Sequence, residues 1–227
     1  MKLINCDLGE CLTPNQDEGI MSLIDMASIA CGGHAGNENS MLKAINSAKR
    51  HGVRIGAHPS YFDQENFGRV SHSISIKDLF QLIYKQVSSF KTLCEQQGAK
   101  LEYIKPHGAL YHDMMRGPDV LAVLCDVIHA VEPTAFLVVQ VGINTELFEA
   151  ISDEKDIQFL YEAFADRGYQ LHQLIARGEQ GAIFEDPQEI VDQYHYFSLD
   201  YANDIDTICF HSDNPASVEA LKILKKT

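Results

Sequence analysis

Residues 53–61 read Val-Arg-Ile-Gly-Ala-His-Pro-Ser-Tyr. The run Val53–Ala57 is short and mostly apolar, as a strand buried on both faces must be, and it leads straight into a histidine and a proline. Just upstream, Met41, Leu42, Ile45 and Ala48 recur at three- and four-residue steps, the period of a helix with one apolar face. Gly52 sits between the two, where a helix C-cap is expected.

The same unit recurs in both directions along the chain. Further candidate strands are Leu3–Cys6, Ala27–Ala30, Leu101–Ile104, Ala135–Val139, Ile157–Tyr161 and Thr207–Phe210. Leu79, Ile83, Val87, Phe90 and Cys94 mark a second helix, and Val120, Leu124, Val127 and Val131 a third. Asn39-Ser40 supplies a candidate N-cap, Gly98 a second C-cap, and Pro118, Pro187 and Pro215 fit first-turn positions. Strands alternating with helices build a parallel sheet from βαβ units. That sheet is either open and doubly wound or closed into a barrel. No G-x-G-x-x-G follows the first strand and no Walker A pattern occurs, so the nucleotide-binding open sheets are disfavoured. The expectation is an α/β fold, a parallel seven-stranded βα-barrel, in a single domain over residues 1–227.

Composition sets the outer limits. The chain has 227 residues, 45% of them hydrophobic and 22% charged, which excludes collagen, coiled coil and disorder. Its formal net charge of −14 argues against nucleic acid as a partner, because phosphate-backbone affinity rests on clustered Lys and Arg. The acidic excess falls in residues 114–227, and reads as a solvated face of outer helices or as a docking face for a basic partner. Cys6, Cys11, Cys31, Cys94, Cys125 and Cys209 include no C-x-x-C pair and several lie in apolar runs, so they are expected to be buried reduced thiols. The first acid comes at residue 7 with no apolar leader core before it, and no run approaches the ~18 apolar residues of a membrane span. A cytoplasmic protein with no membrane partner is expected.

The chemistry gathers after the strands. Asp7, Gly9 and Glu10 follow the first, and Cys31-Gly-Gly-His-Ala-Gly36 the second. His58 follows the third, Lys105-Pro-His-Gly108 the fourth and Gln140 the fifth. Glu162 and Ala165-Asp-Arg167 follow the sixth, and His211-Ser-Asp-Asn214 the last. In a parallel barrel these ends share one rim, where such folds place their active sites. A lone histidine after a strand is more often a cap or a core residue. His34, His58, His107 and His211 together reverse that reading, whereas His51, His72, His129, His172 and His195 read as structural or surface. Asp7 is either a cap or a ligand-facing acid, and Lys105 either snorkels or points inward as a cation.

Two loops suit anions. Residues 31–36 are glycine-rich and lead into a helix, so backbone N–H groups can approach a phosphate or carboxylate. Asn66-Phe-Gly-Arg69 sets an arginine beside a glycine, a second phosphate clamp. The rim also holds enough imidazole and carboxylate for a zinc- or iron-type site, with Asp7, His34 and His58 as candidate ligands, although no H-E-x-x-H or other short-range pair occurs. No G-x-S-x-G elbow supports a serine triad.

These rim motifs resemble the LamB/YcsF family, the A subunits of 5-oxoprolinase. The matching stretches are Asn5-Cys-Asp-Leu-Gly-Glu10, Ile29-Ala-Cys-Gly-Gly-His-Ala-Gly36, Ile55-Gly-Ala-His-Pro-Ser-Tyr61, Lys105-Pro-His-Gly-Ala-Leu-Tyr111, Glu162-Ala-Phe-Ala-Asp-Arg167 and His211-Ser-Asp-Asn-Pro215. The sequence departs from the family pattern at Gly33, where a Phe is usual, at Ser212 for Gly, at Asn66 for Gly and at Val70 for Arg. The resemblance implies a distorted TIM-like barrel of the glycoside hydrolase/deacetylase type. It implies a part in ATP-dependent opening of 5-oxoproline to L-glutamate, with ATP (and Mg2+) as cosubstrate and two further subunits, B and C, as partners. On that basis Asp7, Glu10, His58, His107, Asp166 and His211 are expected to handle water and protons. Gly32, Gly33, His34, Gly36, Arg69, Lys105, Arg167, Asp213 and Asn214 are expected to hold substrate or phosphate. Two other functions fit the same rim: a metal-dependent, deacetylase-like amide hydrolase, and a non-catalytic small-molecule binding protein.

Overall fold

Seven parallel strands close into a barrel in the computed structural model of the chain, which describes residues 2–10, 16–171 and 173–226. The barrel strands are β1 (Leu3–Leu8), β2 (Met26–Ala30), β3 (Arg54–His58), β4 (Tyr103–Ile104), β5 (Phe136–Gln140), β6 (Phe159–Phe164) and β9 (Thr207–His211), paired in that order with β9 closing onto β1. A two-stranded antiparallel ribbon, β7 (Tyr169–Gln170) and β8 (Gln173–Leu174), lies between β6 and β9 in sequence. The helices are α1 (Gln16–Met21), α2 (Glu38–His51), α3 (Ile76–Gln96), α4 (Gly108–Arg116), α5 (Pro118–Val131), α6 (Thr145–Lys155), α7 (Pro187–Asp200) and α8 (Pro215–Leu224). None is long and apolar enough to cross a membrane.

Side-chain alternation sorts each strand into an outer and an inner set. Cys6 and Leu8, Ile29, Ala57, Ile104, Val139, Ala163, Ile208 and Phe210 join helix residues such as Ile45, Val87, Leu124 and Leu221 in the main core. The inner set is layered. Met26, Tyr103, Val138 and Leu160 form a separate apolar cluster. Gly56 leaves room for the Tyr103 ring, with which any Cβ there would collide. Above this plug the inner residues turn polar: Asn5, Asp7, Ser28, Glu162 and Thr207 are all buried.

That polar layer explains the shifts at the C-terminal strand limits. Five strands run past their predicted ends, to take in Asp7 and Leu8, His58, Gln140, Glu162 to Phe164, and His211. An interior carboxylate or imidazole breaks the apolar run without breaking the ladder. Asp7 stands opposite both Ser28 and His211 in register. The cap of α2 is also corrected. It is Asn37, not Asn39-Ser40: Asn37 accepts from the Ser40 N–H at 3.2 Å, and Ser40 Oγ accepts from the Asn37 N–H at 2.9 Å, a closed capping box. Gly52 caps the other end in the left-handed region, and Pro118, Pro187 and Pro215 each open a helix. Gly98 lies one residue beyond the C-cap of α3, which is Gln97. Cys6, Cys31, Cys94, Cys125 and Cys209 are buried free thiols; Cys11 and His172 lie outside the described residues.

Candidate active site

The C-terminal ends of the barrel strands surround a cavity of about 480 Å3. Asp7, Glu10, His58, Arg69, Lys105, His107, Arg167, His211 and Asp213 line it, so most of the rim residues picked from sequence converge. Among the candidates, Gly32, Gly33, His34, Gly36, Asp166 and Asn214 do not line it. The glycine-rich loop is packing rather than wall. A Cβ on Gly33 would collide with Ser60 Oγ and come within 2.6 Å of Gln86 Oε1, and one on Gly36 would meet the Gly9 carbonyl at 2.8 Å. Asn214 caps α8 and donates to the Phe184 carbonyl.

Lys105 is the cation at the floor. Its side chain leaves the end of β4 and runs inward, 2% exposed, so that Nζ lies 3.1 Å from both Asp7 Oδ1 and Glu162 Oε2. It also donates to Asn5 Oδ1 and Cys209 Sγ, each at 3.0 Å. Burial opposes the ammonium, yet the carboxylates, Asp7 foremost, hold its pKa well above that of a free lysine. Asp7 shows the mirror case: burial raises its carboxyl, but His58 and Lys105 carry it well below the usual range. Glu162 was expected only as a residue trailing the sixth strand. It stands inside β6, fully buried, and supplies the second counter-charge. The signal was a lone acid in Phe-Leu-Tyr-Glu-Ala-Phe, which alternation places inward.

Three imidazoles gather around Glu10, and one of them, His58, also reaches Asp7. His58 Nε2 is 3.5 Å from Asp7 Oδ2 and 2.9 Å from His107 Nδ1. His34 stacks on His107 with ring centroids 3.7 Å apart, and its Nε2 is 3.2 Å from Glu10 Oε1. Burial, then the neighbouring His58, pulls His34 down to about 2, and the same causes hold His107 well below an ordinary histidine. Glu10 is pushed well above a free carboxyl by burial and by Asp7. Of the three ligands proposed from sequence, His34 and His58 fall in this group, whereas Asp7 groups with Cys209 and His211.

The mouth is formed by longer side chains. His211 donates its backbone N–H to Asp166 Oδ2 at 3.0 Å and its Nδ1 faces Asp166 Oδ1 at 2.8 Å, so Asp166 fixes the ring from behind. Arg69 pairs with Asp213 at 2.6 Å, and Arg177 lies 3.7 Å from the same carboxylate. Arg167 is buried and ties the strap after β6 through the Ala182 and Ile175 carbonyls. Sequence reading missed Tyr111, His112, Arg116 and Arg177, which also line the cavity. The first three sit on α4, whose helical period hides which face turns to the rim.

Comparison with known proteins agrees with this fold. The LamB/YcsF family model matches residues 3–227. The 5-oxoprolinase A subunit of Pseudomonas fluorescens is 37% identical over 241 residues, covering 99% of this chain and 95% of that protein. Its counterpart from Vibrio cholerae, of the same name, is 37% identical over 232 residues, covering 96% of this chain and 94% of its own. The crystal structure of a lactam utilization protein from Thermus thermophilus superposes with a TM-score of 0.87 at 29% identity, covering 100% of this chain and 97% of that one.

Proposed function

The chain belongs to the LamB/YcsF family, and from this we propose that it is the A subunit of a 5-oxoprolinase, working with subunits B and C to open 5-oxoproline to L-glutamate with hydrolysis of ATP. One observation carries the reading. Asp7, Lys105 and His211 come from three different parts of the barrel, yet face one cavity whose mouth carries Arg69 and Arg177. A small anionic amide needs that combination: cations for its carboxylate and carbonyl, and acid–base groups at the bond to be broken.

A five-membered lactam resists water because amide resonance must be lost and the amine leaves poorly. Transfer of the γ-phosphoryl group of ATP to the lactam oxygen releases ADP and makes the ring carbon electrophilic. Water then adds to that carbon, the C–N bond breaks with a proton delivered to nitrogen, and the acyl phosphate formed is hydrolysed by a second water to glutamate and phosphate. In this scheme Arg69 and Arg177 hold anionic oxygens and Lys105 faces the carbonyl oxygen. Asp7, beside His58, takes the proton from water, and His211, oriented by Asp166, supplies one to nitrogen.

The test is reconstitution with subunits B and C, following ADP and glutamate together. Equal amounts of both, dependent on 5-oxoproline, are expected, and Asp7→Asn should lower kcat by about 10^2–10^4. Unchanged turnover by that variant removes Asp7 from the reaction. ADP release indifferent to 5-oxoproline overturns the assignment.

A further inference from the structure

The hydrogens around the three imidazoles can be placed one by one. His58 Nδ1 lies 2.6 Å from the Lys105 carbonyl oxygen, which can only accept, so that nitrogen carries a hydrogen. His107 Nε2 donates in the same way to the Phe67 carbonyl at 2.9 Å. Ser60 Oγ gives its one hydrogen to the Tyr61 carbonyl at 2.8 Å, so it must accept from His34 Nδ1 at 3.0 Å. Each neutral ring is then left with a lone pair, on His34 Nε2, His58 Nε2 and His107 Nδ1.

All three lone pairs converge on Glu10. They and one Glu10 carboxylate oxygen lie within 4.8 Å of one another, and all four residues are buried. His58 Nε2 and His107 Nδ1 are only 2.9 Å apart, and Glu10 Oε1 is 3.2 Å from His34 Nε2 and 3.8 Å from His107 Nδ1. Four acceptors face one another with no hydrogen between them. Such a cluster needs positive charge at its centre.

We propose that Glu10, His34, His58 and His107 bind one divalent transition-metal ion of the zinc, cobalt or iron class. Two extra protons would also relieve the clash, one on His58 Nε2, which faces both His107 Nδ1 at 2.9 Å and Asp7 Oδ2 at 3.5 Å and would then act as the cation that lowers Asp7, and one between Glu10 and His34. Three features favour the ion. Every ring is locked through its far nitrogen to a separate oxygen, which is how proteins orient metal-bound imidazoles. The donor set, three imidazole nitrogens and one carboxylate, suits this class better than magnesium or calcium, which prefer oxygen. The turn at Gly68 also closes down on the rings: a Cβ there would lie 2.8 Å from His34 Cβ and 3.0 Å from His107 Cδ2, so glycine lets the backbone wall off the cluster. Lys105 does not oppose the ion, since Asp7 and Glu162 flank it. The inference holds whatever reaction the cavity carries out.

The test is elemental analysis of the full chain, produced in zinc-supplemented medium and purified without chelator. About one equivalent of metal per chain is expected. After chelation and reloading with cobalt(II), the visible d–d bands of a nitrogen-ligated, low-coordinate site should appear. Glu10→Gln should weaken zinc binding about 100-fold, whereas His112→Asn, in the same cavity but outside the cluster, should bind as wild type. Wild-type protein that is metal-free as isolated and shows no cobalt spectrum after reloading overturns the proposal and leaves protons as the occupants. That readout needs no variant to fold and no catalytic assay.

Discussion

Replacing Lys105 by Met keeps the apolar stem of the side chain and removes its ammonium, with its charge and its hydrogen bonds to Asn5 and Cys209, so the pH dependence of the result isolates the electrostatics at the barrel floor. Nζ lies 3.1 Å from Asp7 and 3.1 Å from Glu162, whose residues are 6% and 0% exposed. Without the ammonium, two carboxylates share a dry cavity floor. The bare Coulomb figure at this separation, about 5 kcal/mol per pair at an effective dielectric of about 20, overstates the loss because the site can relax. The cheapest relaxation is for one carboxyl to take up a proton. Drawing a proton at pH 7 onto a group with a solution pKa of about 4 costs about 4 kcal/mol, which matches the roughly 3–5 kcal/mol seen when one partner of a buried pair is removed. For a chain of this size that is a fall in Tm of about 8–16 °C. The cost should shrink by about 1.4 kcal/mol for each pH unit below 7, because the proton becomes cheaper. Urea unfolding of wild type and Lys105→Met at about pH 7, 6 and 5 measures both quantities. Adding Glu162→Gln to Lys105→Met should return about 2 kcal/mol, and that double variant is the fallback if the single one does not fold. A loss under about 1 kcal/mol at pH 7, or one that does not change with pH, would refute the argument that two buried carboxylates depend on this cation.

Other substitutions test the walls of the site. Asp166 is held below the usual carboxylate range: burial raises it, but His211 more than offsets that, so its contribution is present above the ordinary aspartate value of 3.8 and is lost as pH falls below it. Asp166→Asn should therefore cost about 2 kcal/mol at neutral pH and give a shallower acid limb in unfolding titrations; parallel acid limbs would count against the pairing. Gly33→Ala should destabilise by about 1–3 kcal/mol, because its methyl group meets Ser60 and Gln86 in a closed space, and a Tm equal to wild type would show that the loop has slack. Arg69→Gln breaks a half-exposed pair, so stability should move by less than about 1 kcal/mol. The KM for 5-oxoproline should meanwhile rise about tenfold with kcat little changed, and an unaltered KM removes Arg69 from substrate binding.

The seven barrel strands were legible because their outward residues are apolar and their connections helical. Their ends were not, and the reason is local. Leu3–Cys6 stops, as read from sequence, at the residue before Asp7, yet Asp7 and Leu8 stay in the ladder and only the inward side chain changes character. The same holds for His58 in β3 and for Glu162 in β6. A periodicity argument weighs hydrophobicity, and an interior that turns from Tyr103 and Met26 to Asp7 and Glu162 defeats it. The convergence of His34, His58, His107 and His211 followed from topology alone, since parallel strands put all their C-terminal ends together. What topology could not supply was direction. The loop at residues 31–36 reads as an anion cradle from its glycines, but those glycines admit Ser60, Gln86 and the Gly9 carbonyl instead of a ligand.

That difference in direction bears on how the site is built. His34 comes from the glycine-rich loop, yet it points away from the open cavity and reaches the cluster from behind, through Glu10 and the stacked face of His107. The departure of Gly33 from the family's usual Phe fits the same arrangement, because the space beside that residue is taken by Gln86. Gln86 donates to the Ser60 carbonyl at 2.8 Å and accepts the Ser60 N–H at 3.1 Å, and Ser60 in turn fixes the tautomer of His34. A larger residue at position 33 would have to displace that amide and find another anchor for Ser60. The chain from Gln86 through Ser60 to His34 thus links a helix on the outside of the barrel to the imidazole cluster within it. Gln86→Leu should for that reason weaken metal binding about tenfold without touching any of the four side chains of the cluster, a loss readable by competition with a chelator. Zinc affinity equal to wild type in that variant would mean that His34 is held by the Phe67–Gly68 turn alone.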